Sequence, residues 1–202
     1  GLTHGLLDTG AGELDEEKIA DRLADIGARL GGSVDQDRAS ISLRSLSSAR
    51  EREAALELMR LVLQQPMFPA AALEREKARS IAGIREADTR PGSIAAKRFA
   101  AALYPGHPYG RLPTVESVET ITRDDLLAFY RAHYGARRAV VSIIGDLGRA
   151  EAEAIAQRLT ADLPDAPAGA GLPDTAMPAR TTLRVDHPAT QRQLVLVDIE
   201  VW

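Results

Sequence analysis

Residues 106–147 read GHPYGRLPTVESVETITRDDLLAFYRAHYGARRAVVSIIGDL. They join a Pro-Gly loop, a capped helix and an apolar run into one continuous unit. In Tyr104-Pro105-Gly106-His107-Pro108-Tyr109-Gly110 the prolines restrict the backbone while the glycines permit positive φ, which predicts a rigid turn. Thr122 is positioned to cap a helix whose first turn carries Asp124 and Asp125, where carboxylates suit the macrodipole, and Gly135 follows its last turn. Leu126, Leu127, Phe129, Tyr130, His133 and Tyr134 recur at helical spacing and define one broad apolar and aromatic face. Ala139 to Ile144 is unbroken, apolar and rich in valine and isoleucine, the pattern of an inner strand covered on both faces. A further helix is expected from Arg149 to Leu163.

Working outward, Gly1 to Asp8 reads as the tail of an apolar helix, stopped by Thr9-Gly10-Ala11-Gly12. Asp15 to Leu30 is amphipathic, with Ile19, Leu23, Ile26 and Leu30 on one side and Glu16, Glu17, Lys18, Asp21 and Asp25 on the other. Ser33 to Gln36 and Ala39 to Leu46 are expected strands, the second alternating Ile41 and Leu43 with Ser40, Ser42 and Arg44. Helices follow at Arg50 to Gln65, ended by Pro66, at Ala70 to Ala87, and at Ile94 to Leu103 after the Arg90-Pro91-Gly92 break. Pro164 to Pro178 is rich in Pro, Ala and Gly and reads as a linker, before expected strands at Thr181 to Val185 and Gln193 to Val201.

Composition excludes several classes. With 202 residues, 45% apolar, 27% charged and a formal charge of -4, this is an ordinary globular composition. Basic residues are interleaved with acids, so no nucleic-acid surface is indicated. No apolar stretch reaches the length of a membrane span, and no signal-peptide pattern opens the sequence. The absence of cysteine removes disulfides and thiol catalysis.

The order His107-Pro108-Tyr109-Gly110, Val115-Glu116-Ser117-Val118, Ile121-Thr122, Asp125-Leu126, Phe129-Tyr130, His133-Tyr134 and Val140-Val141-Ser142-Ile143 before Gly145-Asp146 resembles the pitrilysin/insulinase metallopeptidases. That family includes the mitochondrial processing peptidases and the core proteins of respiratory complex III. Each piece is weak alone, and the order is specific. The resemblance implies an α+β domain with a mixed sheet and helices mainly on one face. It divides the chain into a first domain at 1–163 that lacks its initial strands, a linker at 164–180, and the start of a second similar domain at 181–202.

Active relatives carry H-x-x-E-H on a helix and a distal Glu, the two His and distal Glu binding zinc and the motif Glu acting as base. His4-Gly5-Leu6-Leu7-Asp8 is the matching stretch. Placing His4 at the first ligand puts Leu7 at the base and Asp8 at the second ligand; the other register puts His4 at the base and Gly1 and Gly5 at the ligands. Leucine accepts no proton and glycine offers no donor, so either register leaves the site without its chemistry. In Glu74 to Ile84, Glu76 matches the segment's earlier Glu while the ligand position falls on Gly83, with Glu86 about 300° further round the helix. Residual roles for His4, Glu76 and Glu86 stay open, beside plain readings. Each of the three also suits a surface or ion-paired position, and the glycines could serve close helix approach. His107 reads as a loop hydrogen-bonding residue, Tyr130, His133 and Tyr134 as core and rim, and His187 as having no companion donors.

The resemblance therefore implies no catalytic or metal-binding residue in this chain. It implies instead the non-catalytic subunit of a heteromeric zinc endopeptidase, with zinc in a partner subunit, extended peptides as substrates, and the periplasm as compartment. The alternatives are an active zinc endopeptidase and a purely structural subunit of the core-protein kind.

Overall fold

The computed structural model describes residues 1–166, 171–175, 182 and 184. The expected strands at Thr181 to Val185 and Gln193 to Val201 lie outside the described residues, as does part of the expected linker. Two compact units are distinguished, one formed by Gly1–Glu76 and Ile121–Ala170, the other by Lys77–Thr120 and Gly171–Trp202.

In the first unit a short helix α1 (Leu2–Gly5) runs into a single 3-10 turn (Leu7–Thr9) and a two-residue ladder of β1 (Gly10–Ala11) with β2 (Leu14–Asp15). Helix α2 (Glu16–Asp25) starts where the Asp15 carboxylate accepts from the Lys18 amide. It ends earlier than periodicity suggests, because Gly27 takes φ 62° and turns the chain into β3 (Arg29–Val34). Leu30, expected as the last apolar residue of that helix, is a strand residue packed on the same core. β3 pairs in antiparallel register with β4 (Ala39–Arg44), from Arg29 opposite Arg44 to Val34 opposite Ala39. The turn between them is set by Asp35, whose side chain accepts from the amides of Asp37 and Arg38 at 2.8 and 2.9 Å.

Helix α3 (Ala49–Gln64), the first turns of α4 (Ala70–Ala87) and α7 (Arg123–His133) supply the rest of the core. Leu6, Leu7, Ile19, Leu58, Val62, Phe68, Leu73, Leu126 and Tyr130 form one buried cluster, in which each large side chain contributes about 1.5–3 kcal/mol. Phe68 has left-handed backbone, φ 48°, and is 0% exposed; the Arg123 guanidinium donates to the carbonyls of Met67 and Phe68, at 2.8 and 3.2 Å, and holds that turn. Tyr130 donates its hydroxyl to the Leu63 carbonyl at 2.6 Å, and burial, with Tyr134 nearby, pushes the phenol to about 12. A second cluster joins Leu56 of α3 to Ile155 and Leu159 of α8 (Arg149–Thr160).

The capped helix is as expected: Thr122 and Asp125 form a reciprocal capping box at the start of α7. Phe129 and His133 depart from the expected apolar face, stacking on each other at 4.3 Å with Phe129 49% exposed. Ala139 to Ile144 also departs. It forms no strand, and Val140 and Ile144 are 92% and 99% exposed. A strand exists only through ladder bonds to a neighbour, and among the described residues none lies beside this run. The ladders seen are two small antiparallel ones, and the architecture is α+β, with the core elements covering one face of the β3–β4 hairpin.

The second unit holds the rest of α4, α5 (Pro91–Leu103) and α6 (Val115–Glu119). Pro91 opens α5 at its first turn, where its missing amide costs no bond, so this helix begins three residues before the sequence expectation. Thr114 and Ser117 make a second capping box at α6, a helix not anticipated from periodicity because it spans little more than a turn.

Candidate functional site

Helix α1 is the segment where the resemblance places zinc chemistry. The cap and 3-10 turn that follow it are committed to packing: Leu6 and Leu7 are 1% and 2% exposed, and the Thr9 hydroxyl donates back to the Leu6 carbonyl at 2.8 Å. Leu7 is thus core, whichever register is used. Asp8 is exposed. Gly1 and Gly5 face open space, a Cβ at either meeting nothing within 4 Å, so they are not there to bring helices together. Gly83 on α4 is equally open, and the same correction applies to it.

His4 is half-buried and lies across β3. A Cβ at Gly32 would come within 2.8 Å of the ring's Cε1 and Nε2 and 2.3 Å of the Ser40 carbonyl oxygen, so only glycine fits beneath the imidazole. Its Nδ1 is enclosed without a hydrogen-bond partner. Burial lowers its pKa, against an opposing pull from Asp8. The ring is therefore held toward its neutral form. On α4, Glu76 is half-buried and interacts with other residues, while Glu86 is exposed and ion-paired with Arg90. Zinc needs at least three converging donors. The donor set on α1 does not fit it, since the flanking ligand and base positions present glycine, leucine or an exposed aspartate. Among the described residues no group of three or more His, Asp or Glu is disposed to hold a metal ion.

The β3–β4 hairpin beside α1 has two different faces. Leu30, Ile41 and Leu43 pack inward on the clusters described above. The other face carries Arg29 opposite Arg44, Gly31 opposite Ser42, and Ser33 opposite Ser40, the last two hydroxyls 2.8 Å apart. Among the described residues β3 has β4 as its one ladder partner, so its outer edge presents main-chain donors and acceptors.

In the second unit, His107 is 6% exposed. Its Nδ1 accepts from the Tyr109 amide at 3.1 Å, so Nε2 carries the proton and donates to the Pro173 carbonyl at 3.1 Å. The rings of Tyr104 and Tyr109 flank it at 5.8 and 4.7 Å. With both nitrogens used, His107 is a fixture of the loop, as the sequence suggested. A cleft of about 200 Å³ beside it is lined by Tyr104, Pro105, Pro173 and Asp174.

What sequence reasoning missed is the arginine pair. Only the strand register puts Arg29 and Arg44 together, and the signal available was the Asp35-x-x-Arg38 turn that sets it.

Comparison with known proteins agrees with this architecture. A family model described as the peptidase M16 inactive domain matches residues 120–197. The crystal structure of a peptidase M16 inactive domain from Pseudomonas fluorescens is 37% identical with a TM-score of 0.85, over 88% of this chain and 43% of that one. The probable mitochondrial-processing peptidase subunit beta of Schizosaccharomyces pombe is 28% identical over 106 residues, 52% of this chain and 23% of the yeast protein. An uncharacterized zinc protease of Rickettsia bellii is 25% identical over 149 residues, 73% of this chain and 36% of that protein. The chain thus spans less than half the length of each of these relatives. Taken with the α+β fold and the ordered motifs from His107 to Asp146, these matches make the chain similar to peptidase M16 proteins, the pitrilysin/insulinase group.

Proposed function

We propose that this protein is the non-catalytic subunit of a heteromeric zinc metalloendopeptidase. It forms part of a chamber wall that binds extended peptides and positions them for a zinc site carried by a catalytic partner, in the periplasm. The observation that carries the reading is the state of residues 1–8: Leu6 and Leu7 are packed in the core while the positions owed to ligands and base hold glycine, leucine or an exposed aspartate. A fold kept without its donors suits a role in binding. The outer edge of β3 supports this, because an extended peptide added there is held by main-chain bonds that tolerate varied side chains. Positioning of this kind can lower a barrier by several kcal/mol, about 7 or more in well-oriented cases.

The test is cleavage of a long unstructured peptide by the full-length protein, by a zinc-bearing M16 partner, and by the mixture. The protein alone is expected to be inactive and the mixture well above the partner. Metal-dependent cleavage by this protein alone would restore the active-peptidase reading. A mixture no faster than the partner would favour a structural subunit.

A further inference from the structure

We infer that the wet face of the β3–β4 hairpin is a recognition site for acidic side chains of an extended peptide, with Arg29 and Arg44 as the paired carboxylate receptors. Two like charges directly opposite across an antiparallel ladder repel and cost stability. Here the strand register makes Arg29 and Arg44 such a pair, on the solvent face of the hairpin. Neither guanidinium has a carboxylate partner among the described residues, whereas Arg38 in the adjoining turn is paired with Asp35. The register thus leaves two like charges opposite each other with no counter-charge among the described residues, and a carboxylate between the two guanidinium forks would supply one through two charge-assisted contacts.

The surroundings suit an extended chain. Next along the face comes Gly31, a bare position opposite the Ser42 hydroxyl, and then the Ser33–Ser40 hydroxyl pair. A peptide lying here would meet two cations, a gap for its backbone, and hydroxyls able to donate or accept. Arginine is matched to planar carboxylates, and the chain's formal charge of -4 makes this local positive pair distinct from the protein's average field. The inference deepens the peptide-binding reading above by naming what the peptide must carry.

The experiment is fluorescence anisotropy of a labelled extended peptide containing an Asp-Glu pair, against the same peptide with Asn-Gln, binding to the protein at low salt and at about 0.5 M salt. The acidic peptide is expected to bind about tenfold more tightly than the amide version, with the difference shrinking in salt. R29Q and R44Q should each weaken the acidic peptide about threefold to fivefold, and R22Q, on α2, should leave it unchanged. R29E/R44E should reverse the preference toward a Lys-Arg peptide. R44Q should also melt higher than the parent without peptide, since it relieves the repulsion. Equal binding of acidic and amide peptides, or acidic binding that ignores both arginine substitutions, would overturn the inference while leaving peptide positioning intact. Binding of neither peptide would overturn both. Arginine-dependent binding of anionic vesicles or inorganic phosphate without the acidic peptide would also overturn it. Acidic binding that fails to raise the partner's cleavage would sustain this site and remove the proposed function.

Discussion

His107 and His4 are both single histidines in segments singled out by the resemblance, and their environments are opposite. His107 uses both ring nitrogens, one accepting from Tyr109 and one donating to Pro173, between two tyrosine rings. His4 rests on a glycine, keeps one enclosed nitrogen unpartnered, and is biased by burial toward neutrality. The difference teaches that a histidine tying its loop together sits in a complete hydrogen-bond network, while one packed over a strand without such a network is left only partly satisfied. A side chain's hydrogen-bond accounting separates the two cases better than its type.

The contrast can be broken most sharply at His107. H107A removes two hydrogen bonds and a packed ring, so a loss of about 2–4 kcal/mol is expected in urea unfolding. H107Q, which can replace one bond, should recover part of it. A loss below about 0.5 kcal/mol for H107A would erase the distinction between the two histidines.

G32A comes next. The added methyl meets both the Ser40 carbonyl and the His4 ring, so about 1–3 kcal/mol should be lost. In a double-mutant cycle H4A should rescue only the part due to the ring, because the backbone clash remains. Full rescue by H4A would show that the hairpin relaxes around position 32.

The smallest effect is expected from H4N, and it depends on pH. A folded pKa below the unfolded value means that the unfolded chain takes up the proton first. The native state therefore loses stability as pH falls below about 6.5, until the folded pKa is passed. H4N should match the parent in urea midpoint near pH 8 and exceed it near pH 5. Equal pH dependence in the two proteins would mean that the ring is solvated in both states.

Much of the fold was legible because it is local. Thr122 three residues before Asp125 encodes the capping box, and the bounds of α4 follow from Pro66, Pro69 and the Arg90-Pro91 break. Gly135 was readable as a stop, though not the reason it is required: a Cβ there would lie 2.5 Å from the Ala166 Cβ, a contact between segments far apart in sequence. Leu30 was misplaced because an apolar residue at helical spacing suits the first residues of a strand equally well, and the positive φ at Gly27 decides. Ala139 to Ile144 has strand composition, but composition does not supply a neighbour. The hairpin's arginine pair was not legible, because opposition across a ladder is a property of register.

The exposure of Val140 and Ile144 has a consequence for handling the protein. A run of six residues, four of them β-branched, with neither charge nor proline is the composition that stacks into intermolecular sheets. Arg137 and Arg138 before it and Asp146 after it act as gatekeepers, since any second chain stacking in register must bring like charges together at both ends. Shelf life at high concentration is then governed by ionic strength: salt screens the flanking charges while leaving the apolar run unchanged, so concentrated stocks should keep best in dilute buffer.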